Sequence, residues 1–172
     1  SKTTQHVNLR SAYNKKLPVS QLHALPHIAI RSSEKWGFYG HSTINHNYEM
    51  KYINGEKVVI DHATGLMWHQ SGSNDNTKSK SAKKLIKDLN SSGYADCNDW
   101  RLPTVEEAAS LLESNRRSGD LYVNTVFDKM QSVIRTGDSK GMAGAWCWFI
   151  RFNDGAVRWK TIGSGDYYIR PV

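Results

Sequence analysis

Apolar and polar positions change period several times along the chain. Trp148-Phe149-Ile150-Arg151-Phe152 alternates, Ala156-Val157-Arg158-Trp159-Lys160 alternates again, and Asn153-Asp154-Gly155 lies between them. An Asp-Gly pair between alternating runs predicts a hairpin, because both residues tolerate the positive φ that a twist-matched tight turn needs. Alternation puts Trp148, Ile150 and Phe152, with Val157 and Trp159, toward the core. It leaves Phe149, Arg151, Ala156, Arg158 and Lys160 facing outward. Residues 36–60 read as mostly extended, with Asn54-Gly55 turning between Lys51-Tyr52-Ile53 and Lys57-Val58-Val59-Ile60. Ala63-Thr64-Gly65 reads as a turn into a short buried strand ending at Trp68, and Tyr167 to Val172 as a final strand.

The period lengthens to that of a helix in two places. Ala82, Leu85, Ile86 and Leu89 stand at i, i+3, i+4 and i+7 with lysines opposite, and Gly93 follows. Thr104 with Glu107 three residues on predicts a capping box, with Pro103 just ahead and Ala108, Leu111 and Leu112 as the buried stripe. Pro18 and Pro26 confine any helix over Val19 to Leu25 to one or two turns. Ser71 to Ser81 reads as a polar loop with no core-facing residue. The expected organisation is a basic arm or linker (1–16), an N-terminal extension packed on the domain (17–57) and the domain itself (58–172). The fold class is α+β, two helices on small twisted antiparallel sheets with much irregular chain.

Composition narrows the class. The 172 residues (19.5 kDa) suit one domain with a core of its own. No apolar stretch approaches the ~20 residues of a membrane span. The net charge is +7, unevenly spread: residues 1–60 carry eight bases and three acids, 61–128 eight and ten, 129–172 seven and three. An anionic partner fits this balance, whether sulfated glycan, phospholipid headgroup or nucleic acid. Neither a helix-turn-helix nor a finger nor a paired-aromatic sheet motif is present, which argues against nucleic acid.

Catalytic signatures are missing: no phosphate-cradling glycine loop, no Gly-x-Ser-x-Gly elbow, no His-Glu-x-x-His. His41 with His46, or His62 with His69, could meet in space as metal ligands or serve as local hydrogen-bonding groups. Cys97 and Cys147 are fifty residues apart. They read either as a disulfide or, for Cys147, as a small strand residue. In Asp99-Trp100-Arg101-Leu102-Pro103-Thr104, Trp100 suits the core and Thr104 the cap, while Arg101 is expected to pair with a buried carboxylate such as Asp61 or Asp99.

Together Val59-Ile60-Asp61-His62-Ala63-Thr64-Gly65-Leu66-Met67-Trp68, Gly93-Tyr94-Ala95-Asp96 and Asp99-Trp100-Arg101-Leu102-Pro103-Thr104-Val105-Glu106-Glu107 resemble the Lcl C-terminal domain family, named for the collagen-like adhesin of Legionella. Ala145-Trp146 through Asp154-Gly155 to Tyr168-Ile169-Arg170-Pro171-Val172 is similar to its closing strands. The resemblance covers residues 58–172 and implies a C-type lectin-like fold of the formylglycine-generating-enzyme type. Cys97 and Cys147 do not sit in that enzyme's cysteine motif, so its copper chemistry does not carry over, and no enzyme activity or cofactor is expected. The Glu-Pro-Asn and Trp-Asn-Asp calcium ligands of sugar-binding C-type lectins are absent too.

The hairpin also resembles the Trp-x-Val-x-Phe-x-x-Gly-x-Val-x-Trp scaffold of variable proteins from diversity-generating retroelements, with Ile150 in the first Val place. That resemblance makes Phe149, Arg151, Asn153, Asp154, Ala156 and Arg158 the display positions. With Lys160 and the loop residues Ser164 and Asp166 they form the expected ligand-binding set. Trp68, Trp100, Arg101, Thr104, Glu107, Trp148 and Trp159 form the structural set. The expectation is a noncatalytic display module, secreted or at the cell surface, that binds a protein or surface ligand. A sulfated-glycan adhesin is the alternative.

Overall fold

The computed structural model describes residues 6–74, 79–141, 145–163 and 167–172. In chain order its elements are α1 (Val19–Leu22), β1 (Ile28–Glu34), β2 (Gly37–Ser42), β3 (Tyr48–Ile53), β4 (Glu56–Asp61), β5 (Leu66–His69), α2 (Ser79–Ser92), a 3-10 turn (Tyr94–Asp96), α3 (Val105–Ala109), β6 (Val133–Ser139), β7 (Trp146–Arg151) and β8 (Ala156–Thr161). They make an α+β domain with two antiparallel sheets, one in the order β1-β2-β8-β7-β6 and one in the order β3-β4-β5. No described helix is long and apolar enough to cross a membrane.

The β7–β8 hairpin forms where alternation places it. Trp148 faces Trp159 and Ile150 faces Val157 across the ladder. Trp148, Ile150, Phe152 and Val157 lose all solvent contact, and the Trp148 indole N–H donates to Leu17 O at 3.1 Å. At the β3–β4 turn Asn54 and Gly55 take φ of 51° and 80°, the left-handed pair that closes a two-residue hairpin without splaying its strands.

The Thr104 capping box is complete. Thr104 Oγ1 accepts from Glu107 N at 3.2 Å and Glu107 Oε1 accepts from Thr104 N at 2.8 Å. The helix it starts is only five residues long, so Leu111 and Leu112 reach the core from the turn after α3.

Three expectations change. Tyr167–Val172 is a strap and not a strand: Ser73 N donates to Ile169 O, His69 N to Pro171 O, and Arg101 and Val172 exchange both main-chain bonds. Its one strand-like contact is an isolated parallel bridge of Tyr168 to Ile134 of β6, and its other main-chain partners are loops and the edge of β5, so no ladder forms. Ser71–Ser81 does face the core in part, because Gly72 and Ser73 are buried under that strap and Ser79 already opens α2. Strand β6 went unforeseen, since its inward residues include Thr136 and Asp138, and polar inward positions erase the alternating signal.

The basic N-terminal stretch also lies against the domain. Arg10 clasps the Asp138 carboxylate with both terminal nitrogens (2.8 and 2.6 Å), and Asp138 accepts from Asn14 N and Val105 N, both at 2.7 Å. Asp138 is fully buried at the start of α3, where a carboxylate meets unpaired N–H groups. Val7 N donates to Ala63 O and Leu17 N to Ser139 O, so residues 7–17 run as an anchored strap. The lysines and arginine that suggested an arm include the residue that pins it.

Candidate functional site

Beside the Asp-Gly corner, the outer face of β7 and β8 and the β1–β2 turn enclose an open groove of about 650 Å3. Trp36, Phe149, Arg151, Asn153, Arg158, Trp159 and Lys160 line it, with Ser132 and Val133 at one end. Five of the nine residues expected to bind a ligand therefore converge on one concavity. Asp154 flanks it through a 3.0 Å ion pair with Arg151, and Ser164 and Asp166 lie outside the described residues.

Two residues do not present themselves as alternation suggested. Phe149 is buried, because α2 and the C-terminal strap cover that end of the face: its ring meets Tyr167 at 5.3 Å within a second small core with Ala82, Cys147 and Ile169. Ala156 is also buried, opposite Tyr39 on one side and Arg151 on the other. Alternation assigns faces correctly but says nothing about a layer above them. Trp159 sits at the core edge, not within it, stacked between Trp36 (4.8 Å) and Trp146 (4.4 Å), with Lys140 Nζ 3.9 Å from its ring centre.

The electrostatics of the groove are one-sided. Arg158 donates to Glu34 at 3.1 Å and to the Tyr39 hydroxyl, both from strands that precede the hairpin by more than a hundred residues. The Lys160 ammonium lies 4.8 Å from the centre of the Phe149 ring. Arg151 remains 40% exposed at its side chain and Trp36 is 47% exposed. Two buried donors, Arg158 Nε and Trp159 Nε1, have no acceptor among the described residues. Leaving a buried donor unmatched costs about 1–3 kcal/mol, and both donors belong to residues that line the groove.

Apart from Trp159, which lines the groove, the structural set lies outside it. Trp68 and Trp148 are fully buried and Trp100 nearly so. Arg101 pairs with Glu107, at 2.7 and 2.8 Å, and not with Asp61 or Asp99. The capping box turns the Glu107 carboxylate back over the start of α3, where the Arg101 fork meets it. Asp61 is taken by His46 Nδ1 (2.5 Å), Thr64 Oγ1 (2.9 Å) and the backbone N–H groups of Asn47 and Ala63. Burial alone would raise the Asp61 carboxyl; these donors outweigh it and hold it below its ordinary value.

Histidine and cysteine chemistry is largely committed elsewhere. His46 directs its second nitrogen to Ser110 O at 2.6 Å, and among the described residues no three His, Cys, Asp or Glu side chains gather as a metal cluster. Cys97 and Cys147 are separate free thiols. Burial raises both, with Asp99 and Asp96 adding to the effect at Cys97.

Arg170 was missed entirely. It is fully buried and donates to His69 O (3.2 Å), Gln70 O, Asp128 O (3.1 Å) and Gln131 Oε1 (3.1 Å) without any carboxylate contact. Desolvation pushes its guanidinium down to about 10. The only trace in sequence is an arginine between apolar Ile169 and Pro171.

No curated protein and no solved structure matches the chain. The profile of the Lcl C-terminal domain matches residues 57–172, which takes in the hairpin, the Trp100–Thr104 segment and the C-terminal strap but leaves out β1, β2, β3 and their share of the groove. The chain belongs to the Lcl C-terminal domain family.

Proposed function

We propose that this protein is a noncatalytic ligand-binding module with a C-type lectin-like architecture, secreted or held at a cell surface, and that the groove beside β7 and β8 receives its ligand. The observation that carries this is the convergence of Arg151, Arg158 and Lys160 with the half-exposed Trp36 on one open groove. A guest bearing carboxylate or other acceptor oxygens would pair with these cationic donors and lay an apolar portion on the Trp36 ring. Because the donors stand on paired strands, little side-chain order is lost on binding.

The test is a peptide-display selection on the immobilised protein, counter-screened against an Arg151→Ala/Arg158→Ala variant. Acidic peptides that lose binding to the variant support the groove. Peptides that hold both forms equally place the ligand elsewhere.

A sulfated glycan is the second reading, favoured by the +7 net charge and by the cations of the groove. It requires retention on heparin at low salt with elution by salt, since several screened contacts weaken together. A protein that passes straight through the column at low salt removes it.

Diversification of this face by a retroelement is a narrower proposal. Phe149 and Ala156 are buried, so a guest would meet variation chiefly at Arg151, Asn153, Asp154 and Arg158. Codon substitutions among sibling genes concentrated at adenines of those four positions would support it, and even divergence along the hairpin would exclude it.

A further inference from the structure

A second concavity, of about 400 Å3, lies between α2 and the N-terminal strap and shares no lining residue with the groove. Its floor is apolar: Ala82 and Ile86 from α2, and Leu102 from the segment before α3. Tyr13 forms the opposite wall, its hydroxyl donating to Leu102 O at 2.7 Å. The Tyr13 ring packs directly over Gly137, where any side chain would collide with it. The strap bearing Tyr13 is fixed on both sides by Asp138, through Arg10 and through Asn14 N. The wall is therefore preformed.

The charges around this floor all have one sign. Among the described residues no carboxylate lines the cleft, whereas Lys83, Lys87, Arg101 and Arg135 do. Arg101 is answered by Glu107, and Arg135 lies close enough to Cys147 and Tyr167 to favour their ionised forms. Lys83 and Lys87 are exposed, one helical turn apart, and pair with no acid among the described residues; their neighbour Lys84 has Asp88 at 2.7 Å. Like charges at this spacing repel each other, and nothing in the cleft relieves them. An apolar trough of small-molecule size with a pair of unneutralised ammonium groups at its rim complements one kind of guest.

We propose that this cleft binds a small organic anion with an apolar body, of the chemical class of a medium-chain acyl carboxylate. The chain lies along Ala82, Ile86, Leu102 and the Tyr13 ring, and the carboxylate sits between Lys83 and Lys87. The cleft is separate from the β7–β8 groove, so either site can fail without the other.

Decanoate titrated into the whole protein by calorimetry tests the proposal, with decanol and acetate as the uncharged and the bodiless probes. Decanoate is expected to bind saturably, decanol roughly tenfold more weakly, and acetate not at all. A Lys83→Gln/Lys87→Gln variant, whose substitutions are on exposed positions, should keep its melting temperature and lose roughly tenfold in decanoate affinity. The Arg151→Ala/Arg158→Ala variant should bind decanoate like the parent. Absence of saturable decanoate binding, equal binding of decanol, or unchanged affinity in the double lysine variant would each overturn the proposal. So would loss of binding in the arginine variant alone.

Discussion

Arg101 and Arg170, at the C-terminal strap, and Arg151 and Arg158, beside the Asp-Gly corner, are the same side chain put to opposite uses. Arg170 is wholly buried and Arg101 half-buried, and both forks are filled by fixed protein acceptors: four oxygens for Arg170, the Glu107 carboxylate for Arg101. Arg170 joins segments distant in sequence, and Arg101 ties down the start of α3 six residues on. Arg151 and Arg158 are partly exposed, each with one carboxylate partner; both Arg158 and Arg170 keep a buried Nε unmatched, so the difference lies in exposure. Guanidiniums closed in dry surroundings make rigidity. Guanidiniums at the edge of water are sites where a guest can add contacts.

The largest expected effect concerns the frame that holds both pairs. Removing residues 1–56, to leave little more than the stretch that the family profile covers, strips β1 and β2 from β8 and β3 from β4. It also deletes Leu17, Leu22 and Phe38, each at most 3% exposed. Three such side chains are worth roughly 6 kcal/mol of burial, comparable with the whole stability of a typical domain. The shortened chain should lack dispersed amide NMR signals; a cooperative unfolding transition from it would show that the groove's N-terminal wall is dispensable. Next in size is Arg170→Met, which takes a donor from the carbonyls of His69, Gln70 and Asp128 and from the Gln131 amide oxygen, Gln70 O keeping its bond from Asp128 N. A loss of roughly 4 kcal/mol in urea unfolding is expected.

What could be read from sequence follows the same division. The β7–β8 hairpin and the Thr104–Glu107 box are local patterns, with every ladder or capping partner within fifteen residues, and both formed in place. The Arg10–Asp138 clasp spans 128 positions, and Arg170 draws on two separate segments, residues 69–70 and 128–131; no periodicity marks such partners. Burial of Phe149 was illegible for another reason. Its cover comes from α2 and Tyr167, and alternation in one strand reports which residues share a face, not what lies on top. The groove was half legible: β8 pointed to Arg158, but Glu34, Trp36 and Tyr39 reach it through a pairing of β2 with β8 that nothing local announces.

The C-terminal strap region should also respond to acid. His69 is stacked on Tyr94 at 4.7 Å, accepts from Gly72 N at Nδ1 (2.9 Å), and is pushed down to about 4 by burial and then by Arg170. Between pH 6.5 and about 4 the unfolded chain gains a proton at this imidazole that the folded chain does not. Its contribution is therefore complete above pH 6.5 and is lost as the pH falls toward 4, by up to about 3 kcal/mol. Urea midpoints measured from pH 7 to 4 should decline, and His69→Gln should flatten that decline. An equal slope in both proteins would mean that His69 titrates freely.

The smallest effects belong to the groove, where stability and binding should part company. Arg151→Ala with Arg158→Ala removes two partly exposed ion pairs, which should change stability by no more than about 1 kcal/mol, while binding of an acidic peptide selected on the parent falls sharply. Glu34→Gln sharpens the point. Glu34 lies outside the family-matched residues and is the carboxylate that occupies Arg158. Without it Arg158 keeps its position through Tyr39 but faces the groove with its charge unanswered, so that peptide should bind the Glu34→Gln protein roughly two- to threefold more tightly, a gain that shrinks as salt is added. Weaker binding would mean that Glu34 holds the guanidinium in its productive orientation. Arg158 would then resemble Arg101, a staple whose partner cannot be removed.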